Sequence, residues 1–442
     1  MAEPRETFTS RFGAVITMIG VAVGIGNIWR FPYMVGKFGG AAFVLIYVVI
    51  VTAIGVPALM AEWALGRHTR RGPVGAFAAA RLPLGRAVGW LLFAVVAAAT
   101  AYYTAVIGWV LYYALAQLAA PLLTVDAAAI LPPDTGFAAK SFVLQLVCTG
   151  AVILGCAVVL LRGLRAGIER VSTIVMPILL VILVVLVVRA LVLPGAMRGV
   201  RWYILELRWS DIDARVAMAA LGHAIFSLSL GGTFMVVYGS YLDRKESLLG
   251  GAVWTTVGDT VSGLLAGLAI IPAVFAFGLE PTSGPGLIFS TLPQVFAAMP
   301  LGWIFGFLFF VGVLCAGYLS DIAAFEVLVA GLTDNTPLDR RRAVWAIAAL
   351  VLVLSIPPTI NNAIFVPWDL TFGSGMQTLG ALLAVLALAW CLDRGTALAE
   401  LRSHGERPLP DWLFHWIRFG VPASIIAVGV WWLLTSVIAS AP

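Results

Sequence analysis

The chain has 442 residues, of which 61% are hydrophobic and 11% are charged, and its mean hydropathy is +1.01. A soluble domain has about 25% charged residues, so this composition excludes an ordinary soluble protein. The long apolar runs indicate a helical membrane protein, because a β-barrel would alternate within segments of about ten residues. The formal net charge of +5 comes from basic residues scattered over loops, which indicates membrane topology rather than nucleic-acid binding.

Eleven apolar runs follow one another, each able to cross about 30 Å of hydrocarbon, some with tilt. They lie at about 12–36, 41–65, 88–119, 143–161, 168–193, 215–241, 247–278, 302–333, 342–357, 366–391 and 412–438. Residues 1–11 are charged and lead directly into the first run, so we expect no cleavable signal peptide. The four cysteines lie singly in apolar runs and are expected to be small buried hydrophobic residues.

Basic residues collect in alternate connections between the runs, for example at Arg67, Arg70 and Arg71 and again at Arg340–Arg342. Such connections are cytoplasmic in most membrane proteins. With eleven spans, this predicts a cytoplasmic N-terminus and a C-terminus on the opposite side.

The first apolar run contains an interruption that a lipid-facing helix would not carry. Gly24, Gly26, Asn27 and Arg30 stand within seven residues of one another, and each is costly in hydrocarbon. Non-helical backbone at membrane depth is tolerated only where protein covers it or where it lines a cavity. We therefore predict a broken first helix that offers peptide N–H and C=O groups to a ligand.

The sixth run has a similar interruption at residues 226–233, which read Phe-Ser-Leu-Ser-Leu-Gly-Gly-Thr. Interruptions in spans 1 and 6 are expected when two five-helix repeats of opposite topology share one fold. Paired interruptions of this kind point to the binding site of a secondary transporter. The predicted fold is thus all-α, with repeats at 1–193 and 215–391 and an additional helix at 412–438.

The connection after the seventh run, residues 289–296, follows Gly284-Pro285-Gly286. Its pattern fits a re-entrant hairpin that acts as a lid and fits an ordinary amphipathic connector equally well.

An ordered set of motifs resembles the neurotransmitter:sodium symporter family, and specifically its bacterial amino-acid branch, which includes transporters of leucine and other hydrophobic amino acids. The matching stretches run through nearly the whole chain and are residues 11–13, 24–32, 39–43, 55–57, 62–67, 102–103, 167–170 and 226–231. The resemblance implies a sodium-coupled symporter that works by alternating access in the inner membrane of a bacterium. The sequence shows no enzyme motif, such as a nucleophile–base set, HExxH or a phosphate loop.

The resemblance implies a first sodium site formed by the Ala22 carbonyl, Asn27, Ser227 and Asp259. Many relatives have asparagine where this chain has Asp259, and a carboxylate within a span costs ~2.5–3.5 kcal/mol and is functional by default. Because this carboxylate already supplies a negative charge beside the sodium, we predict that chloride is not required. His223 stands where relatives usually have glutamine, either as a titrating gate residue or as a neutral, hydrogen-bonded imidazole.

A second sodium site would use the carbonyls of Gly20, Val23 and Ala316 together with Ser320. Here the chain departs from the family, because Leu319 stands where relatives carry an oxygen ligand. Asp321 lies about 100° further round the helix than Ser320. The second site could be weakened, the helix could rotate to use Asp321, or Asp321 could serve another purpose, so one or two sodium ions are expected.

The resemblance implies that the substrate carboxylate meets the N–H groups at the first break and the Tyr103 hydroxyl, while the ammonium meets carbonyls of the two breaks. Gly24 replaces the aspartate of amine-transporting relatives, which favours an amino acid, and small residues at 232 and 324 favour a large apolar or aromatic one. The predicted substrate-binding residues are Val21, Ala22, Gly24, Gly26, Ala99, Tyr103, Phe226, Ser227, Ser229, Gly232, Ser320, Asp321, Ala323 and Ala324.

The family's gates map onto two pairs of charged residues. Arg30 and Asp369 match the outer pair, and Arg5 and Asp334, with Tyr241, match the inner pair. Two alternatives to sodium symport stay open, namely a non-transporting sensor on the same fold and a proton-coupled transporter. We expect no organic cofactor and no nucleic-acid partner, and the oligomeric state is not predicted.

Overall fold

The structure is a computed structural model that describes residues 5–119, 139–279, 287–360, 362–402 and 409–438. Within these ranges the chain is helical and contains no β-strand. In the described ranges, nine helices are long and apolar enough to cross a membrane, and a tenth span is a helix pair bent by 55°. A further pair of shorter helices, Ala214–Ser227 and Phe234–Gly239, completes the eleven predicted spans.

The spans are numbered in chain order below. Spans 1 to 5 are Arg11–Ala22 with Gly26–Phe38, Ala41–Thr69, Gly85–Ala119, Phe142–Leu161 and Leu164–Leu191. Span 6 is Ala214–Ser227 with Phe234–Gly239. Spans 7 to 11 are Leu248–Ala276, Gly302–Asn335, Arg340–Ile360, Ala363–Cys391 and Asp411–Thr435. The all-α polytopic fold predicted from the apolar runs is confirmed.

Span 1 is interrupted where the sequence predicts it. Its first helix ends at Ala22, the next residue Val23 is extended with φ −70° and ψ 111°, and a π-helical turn begins at Gly26. Asn27 donates its backbone N–H to the carbonyl of Gly24, which closes the short connection. The peptide groups between Val23 and Gly26 therefore leave the regular helical ladder at mid-span.

Span 6 is interrupted over residues 228–233, and three residues there have left-handed backbone conformations. They are Ser229 (φ 52°), Gly231 (φ 86°) and Thr233 (φ 57°). A Cβ on Gly231 would overlap the backbone of Gln377 on span 10, so only glycine fits this close approach. The freed N–H of Gly231 donates to the Glu62 carboxylate of span 2 at 2.8 Å, which satisfies one orphan donor of the break.

The connection between spans 7 and 8 contains a π-helical turn at Leu287–Thr291 and a short helix at Leu292–Ala297. Phe289 packs edge-on against Trp29 and Trp109, with ring centroids 6.0 Å apart in each case. The segment thus contacts spans 1 and 3 rather than solvent alone. Gly284, Pro285 and Gly286 lie outside the described residues.

Candidate functional site

The two helix breaks face each other across a small cavity of about 60 Å³. Its walls come from spans 1, 3, 6, 8 and 10. The lining residues are Ala22, Gly24, Gly26, Asn27, Ala99, Thr100, Tyr102, Tyr103, Phe226, Ser227, Ser229, Phe234, Ser320, Ala324 and Gln377. Ten of the fourteen predicted substrate-binding residues are among them.

The first break is tightly packed against span 3. The backbone N–H of Ile25 donates to the Tyr103 hydroxyl at 3.0 Å. A Cβ on Gly24 would stand 2.6 Å from that hydroxyl oxygen and 2.8 Å from Ser320 Oγ, which is too close for any side chain without displacement. The position of Gly24 therefore leaves backbone, rather than a side chain, exposed to the cavity.

Three of the four residues predicted for the first sodium site meet through direct hydrogen bonds. The Asn27 amide donates to Asp259 Oδ1 at 2.7 Å, and the Ser227 hydroxyl donates to Asp259 Oδ2 at 2.8 Å. Tyr47 donates a third bond to Oδ2 at 3.2 Å. Three donors, two of them at 2.7–2.8 Å, compensate this fully buried carboxylate. Ala22 completes the set on the wall that it shares with Asn27 and Ser227.

The residues predicted for a second sodium site are arranged differently. The Ser320 hydroxyl lies 3.1 Å from the Val23 carbonyl oxygen and donates toward it. A Cβ on Gly20 would lie 3.2 Å from Leu319 Cδ1, so the leucine side chain packs beside the Gly20 backbone. Ala316 is fully buried on the same span. An apolar methyl group thus occupies a position beside the break where a hard cation would need oxygen.

Four predicted substrate-binding residues do not line the cavity. Val21 contributes its carbonyl oxygen, which accepts a bond from the Ser229 hydroxyl at 2.9 Å. The Phe234 ring fills the space beside Gly232. A Cβ on Gly232 would overlap that ring. Ala323 and Asp321 are fully buried within the helix packing.

Several residues that bound the cavity were not predicted from the sequence. Phe234 and Gln377 stand on its walls, as do Thr100 and Tyr102. Gln377 could have been found, since a polar amide within an apolar span calls for a functional explanation. Phe234 and Thr100 carry no such signal, because apolar rings and back-bonded threonines are ordinary in spans.

The outer predicted gate borders a much larger cavity of about 960 Å³. Arg30 and Asp369 both line it, and the Arg30 guanidinium lies 4.5 Å from the centroid of the Phe226 ring. Tyr103 and Phe226 line both this cavity and the smaller one. The two cavities are therefore adjacent and share part of their walls.

The inner predicted gate is closed by a network of short contacts. Arg5 pairs with Asp334 at 2.7 Å, and Asp334 also accepts the backbone N–H of Gly72. The Arg5 guanidinium lies 5.0 Å from the Tyr241 ring centroid, and Tyr241 donates to Glu326 at 2.5 Å. These contacts join the N-terminal segment to span 8 and to the residues that follow spans 2 and 6.

His223 is fully buried in an aromatic enclosure, with ring centroids of Phe31 and Tyr47 at 5.5 and 5.3 Å. Among the described residues neither ring nitrogen has a hydrogen-bond partner. The side chain therefore packs beside Tyr47, one residue removed from the Asp259 carboxylate.

Comparisons with known proteins agree on one family. A model described as the Sodium:neurotransmitter symporter family matches residues 5–127 and 141–438. The chain is 33% identical over 439 residues to the uncharacterized sodium-dependent transporter YhdH of Bacillus subtilis, covering 95% of this chain and 96% of that protein. It is 27% identical over 483 residues to the sodium-dependent dopamine transporter of Bos taurus, covering 97% of this chain and 69% of that protein.

A similar solved structure is the crystal structure of MhsT in complex with L-phenylalanine. It matches with a TM-score of 0.83 and 32% identity, over 96% of this chain and 99% of that one.

Proposed function

Since the chain belongs to the sodium:neurotransmitter symporter family, and is a sodium-dependent transporter rather than an enzyme, we propose that it takes up a hydrophobic or aromatic L-amino acid with sodium and without chloride. The observation that carries this proposal is the shared cavity between the two helix breaks. This cavity brings together backbone N–H and C=O groups and the Tyr103 hydroxyl. It also lies beside Asn27, whose amide is bonded to the buried Asp259 carboxylate.

The substrate carboxylate belongs at the first break. The half-helix that begins at Gly26 points its N-terminus at the cavity, and helix N-termini attract anions. The Tyr103 hydroxyl accepts from Ile25 and so has its own proton to donate to a ligand. The ammonium group belongs opposite, near the carbonyl groups of Ala22 and Phe226 and the Ser229 hydroxyl.

The apolar part of the cavity supports a hydrophobic or aromatic side chain. Ala99, Ala324, Phe226 and Phe234 supply apolar walls, and Gln377 supplies one amide. The similar protein MhsT has been solved with L-phenylalanine. The Phe234 ring, which lies beside Gly232, bounds this part of the cavity.

We propose that sodium binds among Ala22, Asn27, Ser227 and Asp259, where the substrate carboxylate can complete its coordination. Neither ion nor substrate site would then be complete alone, which is the physical basis of coupling. The Asp259 carboxylate supplies the anionic charge, so chloride has no role to fill. At the second predicted site, the Leu319 side chain and the Ser320–Val23 bond leave too few oxygens for a firmly held ion.

The arrangement of the gates supports an outward-open state. The large cavity opens past Arg30 and Asp369, while Arg5 and Asp334 close the other end. We keep the proposals that the Arg5 end is cytoplasmic in a bacterial inner membrane and that the repeats span 1–193 and 215–391, with 412–438 as an added helix.

Proteoliposome uptake of an amino-acid panel tests the proposal. With an inward sodium gradient in gluconate buffer, we expect tryptophan, phenylalanine, tyrosine or leucine to accumulate and glycine and alanine to compete weakly. A large loss of uptake without chloride would contradict chloride independence. Binding without any uptake would identify the non-transporting sensor instead.

A further inference from the structure

Another buried carboxylate, Asp321, lies behind the cavity wall formed by Ser320 and Thr100. It is on span 8 and has no exposed surface. Its Oδ1 lies 2.9 Å from the hydroxyl of Thr104 on span 3, and its Oδ2 lies 3.7 Å from Sγ of Cys156 on span 4. The carboxylate is thus enclosed by three spans at the depth of the helix breaks.

The hydrogen bonds to Asp321 are few and weak. The Thr104 hydroxyl has one proton and two acceptors in reach, since its oxygen is also 2.7 Å from the Thr100 carbonyl oxygen. The other donor is a thiol, which donates weakly. Asp259 has three N–H and O–H donors in the same membrane region. Asp321 therefore has much less compensation for a negative charge than Asp259 has.

No positively charged side chain balances Asp321 among the described residues. The titratable groups that face it are Cys156 of span 4, Tyr103 of span 3 and Tyr318 of its own span, and all are neutral in their ordinary state. Spans 1, 5, 6 and 9 also pack against span 8, and none of them brings a charge to Asp321. An uncompensated carboxylate within a span is energetically costly, and such groups commonly mark ion or proton pathways.

We propose that Asp321 holds a small monovalent cation, a proton or a sodium ion, as a second coupling ion. The oxygens of Asp321, Thr104 and Thr100 form a hard donor set, and Thr100 and Ser320 connect it to the substrate cavity. Asp321 stands two residues after Leu319, which lacks the oxygen that relatives carry at that position. The coupling role of this ion rests on the proposed symport. Binding of the ion to Asp321 can be measured without transport.

Infrared spectroscopy of the purified protein tests the proton. A protonated carboxylic acid has a carbonyl stretching band that a carboxylate lacks. We expect this band in the wild type at neutral pH, its loss in Asp321→Asn, and its shift in Thr104→Val, which lacks the hydroxyl in contact with the acid. Glu206→Gln, which changes an exposed carboxylate in a loop, is the matched control and should leave the band unchanged.

Equilibrium binding of radioactive sodium to the same proteins tests the other cation. If the acid band does not depend on Asp321, the wild type should bind one more sodium ion than Asp321→Asn, with weakened binding in Thr104→Val. No acid band from Asp321 together with equal sodium counts in all variants would overturn the proposal. Neither measurement needs uptake. Absence of sodium-driven uptake would therefore reject the proposed symport, whereas ion binding at Asp321 would still be decided by the infrared and sodium-binding results.

Discussion

At the scale of single residues, the site depends on which hydrogen-bond donors surround the carboxylates of Asp259 and Asp321. Asp259 receives bonds from Asn27, Ser227 and Tyr47, so it can remain ionised beside a cation. A sodium ion there would add its charge to a carboxylate that is already well oriented. The negative charge, rather than the volume of the side chain, should therefore set the affinity for sodium.

Replacing Asp259 with asparagine tests this point. The variant keeps the size of the side chain and removes its charge, so we expect the sodium concentration for half-saturation of substrate binding to rise at least tenfold, which corresponds to about 1.4 kcal/mol. The measurement is a sodium titration of radiolabelled substrate binding to purified protein. An unchanged half-saturation would remove Asp259 from the sodium site.

Replacing Gly24 with alanine tests the proposed carboxylate position. The new Cβ would stand 2.6 Å from the Tyr103 hydroxyl and 2.8 Å from Ser320 Oγ, so it displaces the groups that bound the site. We expect at least a tenfold loss of substrate affinity with unchanged expression. Gly150→Ala is the matched control, because a Cβ there meets no atom within 4 Å and should leave affinity unchanged. Equal affinities in the two variants would contradict the assignment.

At the scale of helical elements, the breaks in spans 1 and 6 persist because other elements satisfy them. The Gly231 N–H of span 6 is held by Glu62 of span 2, while Ser229 and Thr233 take up left-handed conformations on either side. Such conformations cost of order 1–3 kcal/mol each outside glycine, so the surrounding structure must enforce them. The break is thus a property of the packing around span 6 as much as of its own sequence.

Substitutions at Glu62 measure how much its acceptor contributes. Glu62→Ala leaves the buried N–H of Gly231 without a partner, which costs about 1–3 kcal/mol. We expect a lower thermal unfolding temperature and weakened substrate binding. Glu62→Gln keeps a carbonyl oxygen at the same reach and should restore most of both quantities. If alanine and glutamine behaved alike, the hydrogen bond would have no part in shaping the break.

At the scale of the whole molecule, the sequence predicts the spans well because apolar length is a strong signal. The predicted run at 247–278 and the observed helix Leu248–Ala276 differ by one or two residues at each end. Both breaks were predicted because glycines and polar residues are costly in hydrocarbon. The grouping of Asn27, Ser227 and Asp259 into one site came instead from the family resemblance, and in the structure these three side chains are hydrogen-bonded to one another.

The surroundings of individual side chains were not predicted, because they depend on packing between helices that a single sequence does not reveal. The direction in which Asp321 faces is decided by which helices pack against span 8, and a shift of one residue turns a side chain by about 100°. The filling of the Gly232 space by Phe234 likewise follows from the chain path after the break. Both facts require coordinates, since each depends on neighbours distant in sequence.

If the chain works by the proposed alternating access, the Arg5–Asp334 pair has a measurable role in the whole molecule. The pair closes one end of the protein while a cavity of about 960 Å³ opens at the other. An ion pair near the surface stabilises by up to about 1 kcal/mol, so Arg5→Ala should raise the population open at the Arg5 end by about fivefold. The readout is the labelling rate of Ser240→Cys, a buried position at that end, in a background without the native cysteines.

Arg342→Ala supplies the matched control for that experiment. Arg342 pairs with Asp339 at 3.9 Å, and both side chains are largely exposed. Removing this pair changes the protein charge as Arg5→Ala does but touches no element of the inner network, so the labelling rate should stay at the wild-type value. Equal labelling in Arg5→Ala and Arg342→Ala would mean that the inner end is held shut by helix packing alone. A faster rate confined to Arg5→Ala would instead show that the Arg5–Asp334 pair helps to keep this end closed. A pair of this strength is weak enough to break and reform in every transport cycle.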